Sequence, residues 1–153
     1  MRPGMLYRAM ADTPTIITVP IFSDLGNLAL SLRRAVFVGE QHVPAADEFD
    51  DYDLTCTHIV ALLNGDVVGT LRIIDMPEHA KIGRVAVAPL ARGHGIATAM
   101  MEYAMELSRA RGQTRFYLTA QVDKLGLYEK LGYTAFGEVF QDGGMPHLAM
   151  KTY

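Results

Sequence analysis

The fold is decided by the stretch Arg84-Val-Ala-Val-Ala-Pro-Leu-Ala-Arg-Gly-His-Gly-Ile-Ala97. A β-branched strand is followed by a proline and then by a glycine-rich turn that leads directly into a helix. A helix begins with unpaired backbone N–H groups and a partial positive charge, and both favour an anion. Gly93 and Gly95 let an anion approach that backbone closely, and Arg92 adds a cation. The stretch therefore predicts an anion site, and we expect the anion to be a diphosphate.

Two common phosphate-binding patterns do not fit this turn. A P-loop ends in Gly-Lys-Ser/Thr, whereas Gly95 is followed by Ile96 and Ala97. The dinucleotide fingerprint needs a third glycine where this chain has Thr98. Taken alone, the segment leaves open that the two glycines serve only as a tight turn.

A second segment narrows the interpretation. Leu118-Thr-Ala-Gln121 is followed by Leu127-Tyr128-Glu-Lys-Leu-Gly-Tyr133, so Tyr128 lies seven positions after Gln121. Together with Arg92-x-x-Gly95-x-Ala97, this pattern resembles the GNAT superfamily of acyl-CoA-dependent N-acyltransferases. In that family the turn binds the diphosphate of CoA, and a polar residue, commonly Asn, precedes a Tyr by seven positions. Gln121 replaces the Asn here.

The resemblance implies an acetyl-CoA co-substrate, no metal, and direct transfer of the acetyl group to a primary amine. Tyr128 would be the catalytic acid that protonates or hydrogen-bonds the departing sulfur; the alternative is a half-buried aromatic residue on a helix. The strand before the turn would pair with the pantetheine arm through its free backbone groups. The residues implied in CoA binding are Val85, Ala86, Val87, Arg92, Gly93, His94, Gly95, Ile96, Ala97, Gln121 and Tyr128.

The pattern of elements predicts an α/β (mixed α+β) fold of the GNAT type: a central, mixed, mostly antiparallel, splayed sheet flanked by helices. We expect a flexible N-terminal arm over 1–14 and a single domain over 15–153. The predicted strands are Thr15–Val19, Thr57–Leu63, Val67–Asp75, Lys81–Val87, Arg115–Thr119, Tyr133–Phe140 and His147–Lys151. The predicted helices are Leu25–Phe37, Gly95–Arg111 and Val122–Leu131, the first capped by Asp24 with Leu25, Leu28, Leu32 and Val36 on its core side.

The acceptor side is less specific. An irregular acidic stretch is predicted over Gly39–Asp53, with carboxylates at Glu40, Asp47, Glu48, Asp50, Asp51 and Asp53. It could line a pocket for a small cationic amine, or it could be a solvated loop. His58 and His147 could each be a base or a structural histidine. The candidate acceptor-side residues are Phe37, Glu40, Gln41, Asp50, His58 and His147.

A narrower resemblance is to the ElaA-like branch of the family. It is carried by Arg34-Ala-Val-Phe37, Glu40-Gln41, Pro44, Asp50, His58, Ile82-Gly-Arg-Val-Ala-Val87, Ala120-Gln121 and Gly144-Met-Pro-His147. The chain departs from the pattern of that branch at Gly39, where a bulkier apolar residue is more usual, and at Ala45-Ala46 after Pro44. Both positions lie on the acceptor side. Arg34, Phe37 and Glu48-x-Asp50-x-x-Asp53 also resemble acyl-homoserine-lactone synthases, which typically carry a Trp that this chain lacks. A non-catalytic CoA-binding module is the remaining alternative.

Composition sets further bounds. The 153 residues are 50% apolar with a net charge of −3, which argues against nucleic acid as a partner. There is neither an apolar run of the roughly 20 residues that a membrane span needs nor a signal-peptide core. The one cysteine, Cys56, is expected to be a buried thiol in a reducing cytoplasm. A homodimer is the assembly that the resemblance suggests.

Overall fold

A computed structural model describes residues 13–153 of the chain. The expected arm over 1–14 therefore lies almost wholly outside the described residues. The strands are Thr15–Val19 (β1), Thr57–Leu63 (β2), Asp66–Asp75 (β3), Ala80–Val87 (β4), Phe116–Gln121 (β5), Thr134–Asp142 (β6) and Met145–Lys151 (β7). The α-helices are Asp24–Arg33 (α1), Ala45–Glu48 (α2), Ile96–Ala110 (α3) and Leu125–Glu129 (α4). A π-helix spans Arg34–Glu40, and 3₁₀ turns span Asp51–Leu54, Pro89–Ala91 and Val122–Lys124.

The seven strands form one sheet in the order β1-β2-β3-β4-β5-β7-β6. Every neighbouring pair is antiparallel except β4 and β5, which run parallel. Those two strands pair only at Ala80–Phe116 and Lys81–Tyr117 and then diverge. The mixed, mostly antiparallel and splayed sheet is thus confirmed, and its V-shaped opening faces the glycine turn.

Side chains alternate between the two faces of the sheet, as the strand repeat requires. On one face Leu71, Ile73 and Ile82 belong to the main core, which also contains Met100 and Ala104 of α3. On the other face a smaller cluster joins Val60 to α1. Residues of β3 and β4 that alternate with the core positions, such as Lys81, therefore lie on the face opposite α3.

The first helix differs from the prediction. Ser23, not Asp24, is the N-cap: it is extended, and its hydroxyl accepts the backbone N–H of Gly26 at 3.0 Å. The buried residues of α1 are Gly26, Ala29 and Arg33, which leaves Leu28 49% exposed. The prediction that Leu28 lies in the core is wrong. The buried face of α1 contains Arg33, and a pattern search that counts only apolar residues cannot identify a face that buries a charged one.

The region Gly39–Asp53 is not irregular, contrary to expectation. The π-helix continues α1, and its last turn is closed by the Gln41 N–H, which donates to the Val36 carbonyl at 3.0 Å. After α2, a capping box between Asp50 and Asp53 starts the next 3₁₀ turn. The predicted helix Val122–Leu131 is a 3₁₀ turn followed by the short α4. Of the helices within 13–153, none combines the length and the apolar character that crossing a bilayer would need.

Candidate active site

The opening between β4 and β5 leads into a cavity of about 500 Å³. It is lined by both diverging strands, the start of α3 and the end of the π-helix. His94 is exposed and is not among the lining residues. The other residues that the sequence assigned to CoA do line it: Val85, Ala86, Val87, Arg92, Gly93, Gly95, Ile96, Ala97, Gln121 and Tyr128.

The glycine turn lies at one end of this cavity. Gly93 and Gly95 have φ angles of 80° and 75°, in the left-handed region that residues with a Cβ adopt at a cost. The first bond within α3 runs from the Ala99 N–H to the Gly95 carbonyl at 3.0 Å. The N–H groups at the start of α3 precede that bond and have no acceptor within the helix. The turn therefore offers an anion a bare backbone and several free donors.

Arg92 stands beside the turn, but its guanidinium already has a partner. Its Nη1 and Nη2 donate to the two carboxylate oxygens of Glu40 at 2.7 and 2.8 Å, and its Nε donates to the Val87 carbonyl at 3.0 Å. The hydrogen bonds from Arg92 lower the pKa of Glu40. Because this pair is exposed, an incoming diphosphate can compete with Glu40 for the guanidinium.

A β-bulge lies midway along β4. The register with β3 passes from Ala86 opposite Thr70 to Gly83 opposite Arg72, so two residues, Arg84 and Val85, face the single Leu71. Arg84 has a φ of 52°, which is uncommon for a residue with a side chain. Bulges release backbone groups from the regular ladder and often stand next to active sites. This one lies on the wall of the cavity.

Gln121 and Tyr128 line the cavity on the β5 side. The Gln121 amide donates to the Gln41 side-chain oxygen at 2.9 Å, which ties the end of β5 to the π-helix. Tyr128 is 8% exposed, and burial raises the pKa of its hydroxyl to about 12. The hydroxyl is therefore protonated throughout the physiological range and can act as a hydrogen-bond donor.

His147 is placed opposite Gln121 by the pairing of β5 with β7. Its ring is buried, stacks on Phe140 with the ring centroids 5.9 Å apart, and lines the cavity. Nδ1 lies 2.8 Å from the Met145 carbonyl oxygen. Because a carbonyl only accepts, Nδ1 carries the hydrogen, and Nε2 keeps its lone pair. His147 is thus held in the tautomer that can take up a proton.

Three of the six carboxylates of the acidic stretch, Glu48, Asp50 and Asp53, belong to an internal ion-pair network. Arg33 is 1% exposed; its Nε donates to Glu48 at 2.6 Å, and its Nη1 and Nη2 donate to Asp53 at 2.6 and 3.0 Å. Although burial alone would raise the pKa of Asp53, the hydrogen bonds from Arg33 and the Asp50 backbone lower it to about 2. Glu48 and Asp53 are therefore held by Arg33 and are not solvated. Glu40, Asp47 and Glu48 line the cavity, as one alternative for this stretch expects, and the exposed Asp51 fits the solvated one.

Arg72 completes the network from β3. It donates to both oxygens of Asp50 at 2.7 and 2.8 Å and to Asp53 at 3.0 Å. Arg84 donates to the Glu48 carbonyl at 3.1 Å. Asp50 was expected on the acceptor side, but it does not line the cavity. These contacts give the pattern Glu48-x-Asp50-x-x-Asp53, which resembles acyl-homoserine-lactone synthases, a structural role in this protein. Arg34, the other residue of that resemblance, is exposed and makes none of these contacts, whereas its neighbour Arg33 does.

His58 also lies away from the cavity. It is 3% exposed, and its Nε2 is 2.8 Å from the Asp53 carbonyl oxygen and 3.4 Å from the Cys56 sulfur. Asp53, Cys56 and His58 offer ligand atoms within 4.8 Å of one another. However, both Asp53 oxygens accept hydrogen bonds from arginines, and burial raises the pKa of Cys56 to about 11, which keeps its thiol protonated. These contacts match the structural alternative for His58.

The remaining acceptor-side candidates also line the cavity: Phe37 and Glu40 from the π-helix, and Gln41 from the position that follows it. Lys81 also lines it, although the sequence did not single it out. The one signal in the sequence that could have identified Lys81 is its position as a charged residue between apolar neighbours in a predicted strand. Alternation alone would assign such a residue to solvent.

Comparison with known proteins agrees with this geometry. The model of the acetyltransferase (GNAT) family matches residues 27–133. The protein ElaA of Shigella flexneri is 35% identical over 127 residues, covering 79% of this chain and 82% of ElaA. The crystal structure of Escherichia coli ElaA has a TM-score of 0.81 at 30% identity and covers 92% of this chain and 100% of its own. A GNAT family acetyltransferase from Elizabethkingia anophelis, solved with acetyl-CoA bound, shares the fold at 14% identity, covering 92% of this chain and 97% of its own, with a TM-score of 0.66.

The splayed sheet and its cavity define the fold of an acyl-CoA N-acyltransferase. The chain belongs to the acetyltransferase (GNAT) family, in its ElaA-like branch, and is an acyltransferase.

Proposed function

We propose that this enzyme transfers the acetyl group of acetyl-CoA directly to a primary amine of a small molecule. The observation that carries the proposal is the cavity between β4 and β5, which has the glycine turn at its end and runs past the bulge at Arg84. The E. anophelis neighbour, solved with acetyl-CoA, supports the same donor for this fold.

The donor would be held along its whole length. Its diphosphate would accept hydrogen bonds from the N–H groups at the start of α3 and from Arg92 released by Glu40. Its pantetheine arm would pair with the backbone of Val85 and Val87, because β4 has no partner strand beyond Lys81 on that side. The thioester carbonyl would then lie against the bulge, where backbone N–H groups that leave the regular ladder would stabilise the oxyanion.

In the chemical step, the neutral amine attacks the thioester carbon, the C–S bond breaks, and the amine nitrogen loses a proton. His147 is the proposed base, because it lines the cavity and its Nδ1 is bonded to the Met145 carbonyl, which leaves Nε2 as the nitrogen that can take up the proton. With a pKa of about 12, Tyr128 cannot readily give its proton to a thiolate whose conjugate acid has a pKa of ~8.5, as for an ordinary thiol. We therefore assign Tyr128 as the hydrogen-bond donor that stabilises the leaving sulfur.

The structure weakens the case for a cationic acceptor. That expectation depended on an excess of carboxylates, and Glu48, Asp50 and Asp53 are each paired with an arginine. We therefore propose a primary amine as the acceptor, without a required positive charge. A homodimer, and the absence of a metal, stay predictions.

An amine-panel assay tests the function. Release of the CoA thiol is followed with each amine, and the N-acetylated product is identified by mass spectrometry. We expect release that requires the amine, and His147→Gln should lower kcat because the proposed base is removed. If no amine releases CoA above the hydrolysis background, the proposed function is wrong.

A further inference from the structure

Lys81 is the most unusual charge in the cavity. It lies on β4, half-buried, on the sheet face opposite α3, where it shares that face with Arg72 and Ile74. Its Nζ lies 6.0 Å from the ring centroid of Tyr117, and among the described residues no carboxylate lies within ion-pair distance of it. A partly desolvated ammonium is normally paired.

The surroundings of Lys81 do not supply that pair. The network next to it holds three arginines, Arg33, Arg72 and Arg84, and three carboxylates, Glu48, Asp50 and Asp53, so its charges balance without Lys81. Desolvation, together with the positive charges of Arg72 and Arg84, lowers the pKa of Lys81. Asp142 and Asp50 act in the opposite direction, but their effects are smaller. An anion in this part of the cavity would relieve both the desolvation and the repulsion.

Resting on the proposed function, we infer that the acceptor amine carries a carboxylate and that Lys81 binds it. Lys81 precedes the bulge at Arg84 by three residues, or ~10 Å of strand, and the lysine stem covers part of that length. One small molecule can therefore hold its carboxylate at Lys81 and present its amine to the thioester at the bulge. Lys81 would then select amino acids, or similar amino-carboxylates, over plain amines.

The test compares free amino acids with their carboxamides, which keep the amine and lose the negative charge. With the wild-type protein, kcat/KM should be at least tenfold higher for the acid of the preferred pair. Lys81→Met should lower kcat/KM for the acid by on the order of 10–100-fold and change that for the carboxamide by less than about threefold. Lys81→Arg should retain the preference for the acid.

Lys151→Met is the matched control, because Lys151 is also half-buried on a strand, with its Nζ 4.6 Å from the Phe136 ring centroid, but does not line the cavity. It should leave the preference unchanged. Equal kcat/KM for acid and carboxamide, or equal losses for both in Lys81→Met, would overturn the inference while the acetyltransferase function stood. If neither form of any pair, nor any plain amine, is acetylated, the proposed function fails as well.

Discussion

Gly95→Ala perturbs the glycine turn with a single methyl group. Gly95 has a φ of 75°, and no atom lies within 4 Å of the position that a Cβ would take. The variant should therefore lose only the ~1–2 kcal/mol that the left-handed conformation costs an alanine. In a protein of this size each kcal/mol lowers Tm by ~2–4 °C.

Gly95→Ala should also weaken the binding of acetyl-CoA, an effect that the loss of folding stability does not by itself produce. The new Cβ would occupy the space through which the diphosphate approaches the backbone of α3. Losing one charge-assisted hydrogen bond costs ~1.5–3 kcal/mol, which corresponds to about a 10–150-fold rise in Kd. Isothermal titration calorimetry with acetyl-CoA measures this directly on the folded variant.

Gly112→Ala separates the two effects. Gly112 lies just beyond the other end of the same helix, has a φ of 90°, and likewise has no atom within 4 Å of its Cβ position. It should lose a similar amount of Tm and bind acetyl-CoA with wild-type Kd. Equal Kd values for the two variants would refute the assignment of the diphosphate to the turn at Gly95.

Three further predictions concern single contacts. Tyr128→Phe should lower kcat by ~10–100-fold with little change in KM for acetyl-CoA. Tyr133→Phe, which removes a buried hydroxyl that has no partner among the described residues, should leave kcat unchanged. A similar kcat for both variants would remove Tyr128 from the mechanism. Glu40→Gln should free Arg92 and lower the Kd of acetyl-CoA by ~2–5-fold, and this gain should vanish in calorimetry when Arg92 is also replaced by Met. Because the pKa of Asp53 falls from 3.8 to about 2 on folding, Asp53 contributes about 2 kcal/mol to the free energy of unfolding above about pH 4, and this contribution is lost as the pH falls through 2. Urea unfolding of Asp53→Asn should therefore show a smaller fall in the free energy of unfolding over this pH range than Asp51→Asn, which alters an exposed carboxylate. The same pH dependence in both variants would contradict the assignment.

The architecture was predictable because its signals are local. The glycines at Gly93 and Gly95, which adopt positive φ, and the alternation of apolar residues along the strands each specify their element without knowledge of the rest of the chain. Element bounds therefore agree to within two residues for all seven predicted strands, and the order of elements identifies the sheet.

The acceptor side was not predictable in the same way, because its contacts join distant positions. Glu40 reaches Arg92 across 52 residues, and Arg33 reaches Asp53 across 20. Net charge along the acidic stretch could not show that Glu48, Asp50 and Asp53 are neutralised by arginines on α1 and β3. The bulge at Arg84 is a property of strand register, and it leaves no mark in the composition of β4.

The most direct measurement follows a labelled acetyl group. Wild-type protein is mixed with acetyl-CoA that carries the label in its acetyl group, first alone and then with an amine that the panel shows to be active. Without amine the label should stay on CoA, with none on the protein; after addition of the amine it should appear on the amine nitrogen at the rate at which CoA is released. Label that accumulates on the protein, or CoA release without an N-acetylated product, would contradict direct transfer in the cavity between β4 and β5.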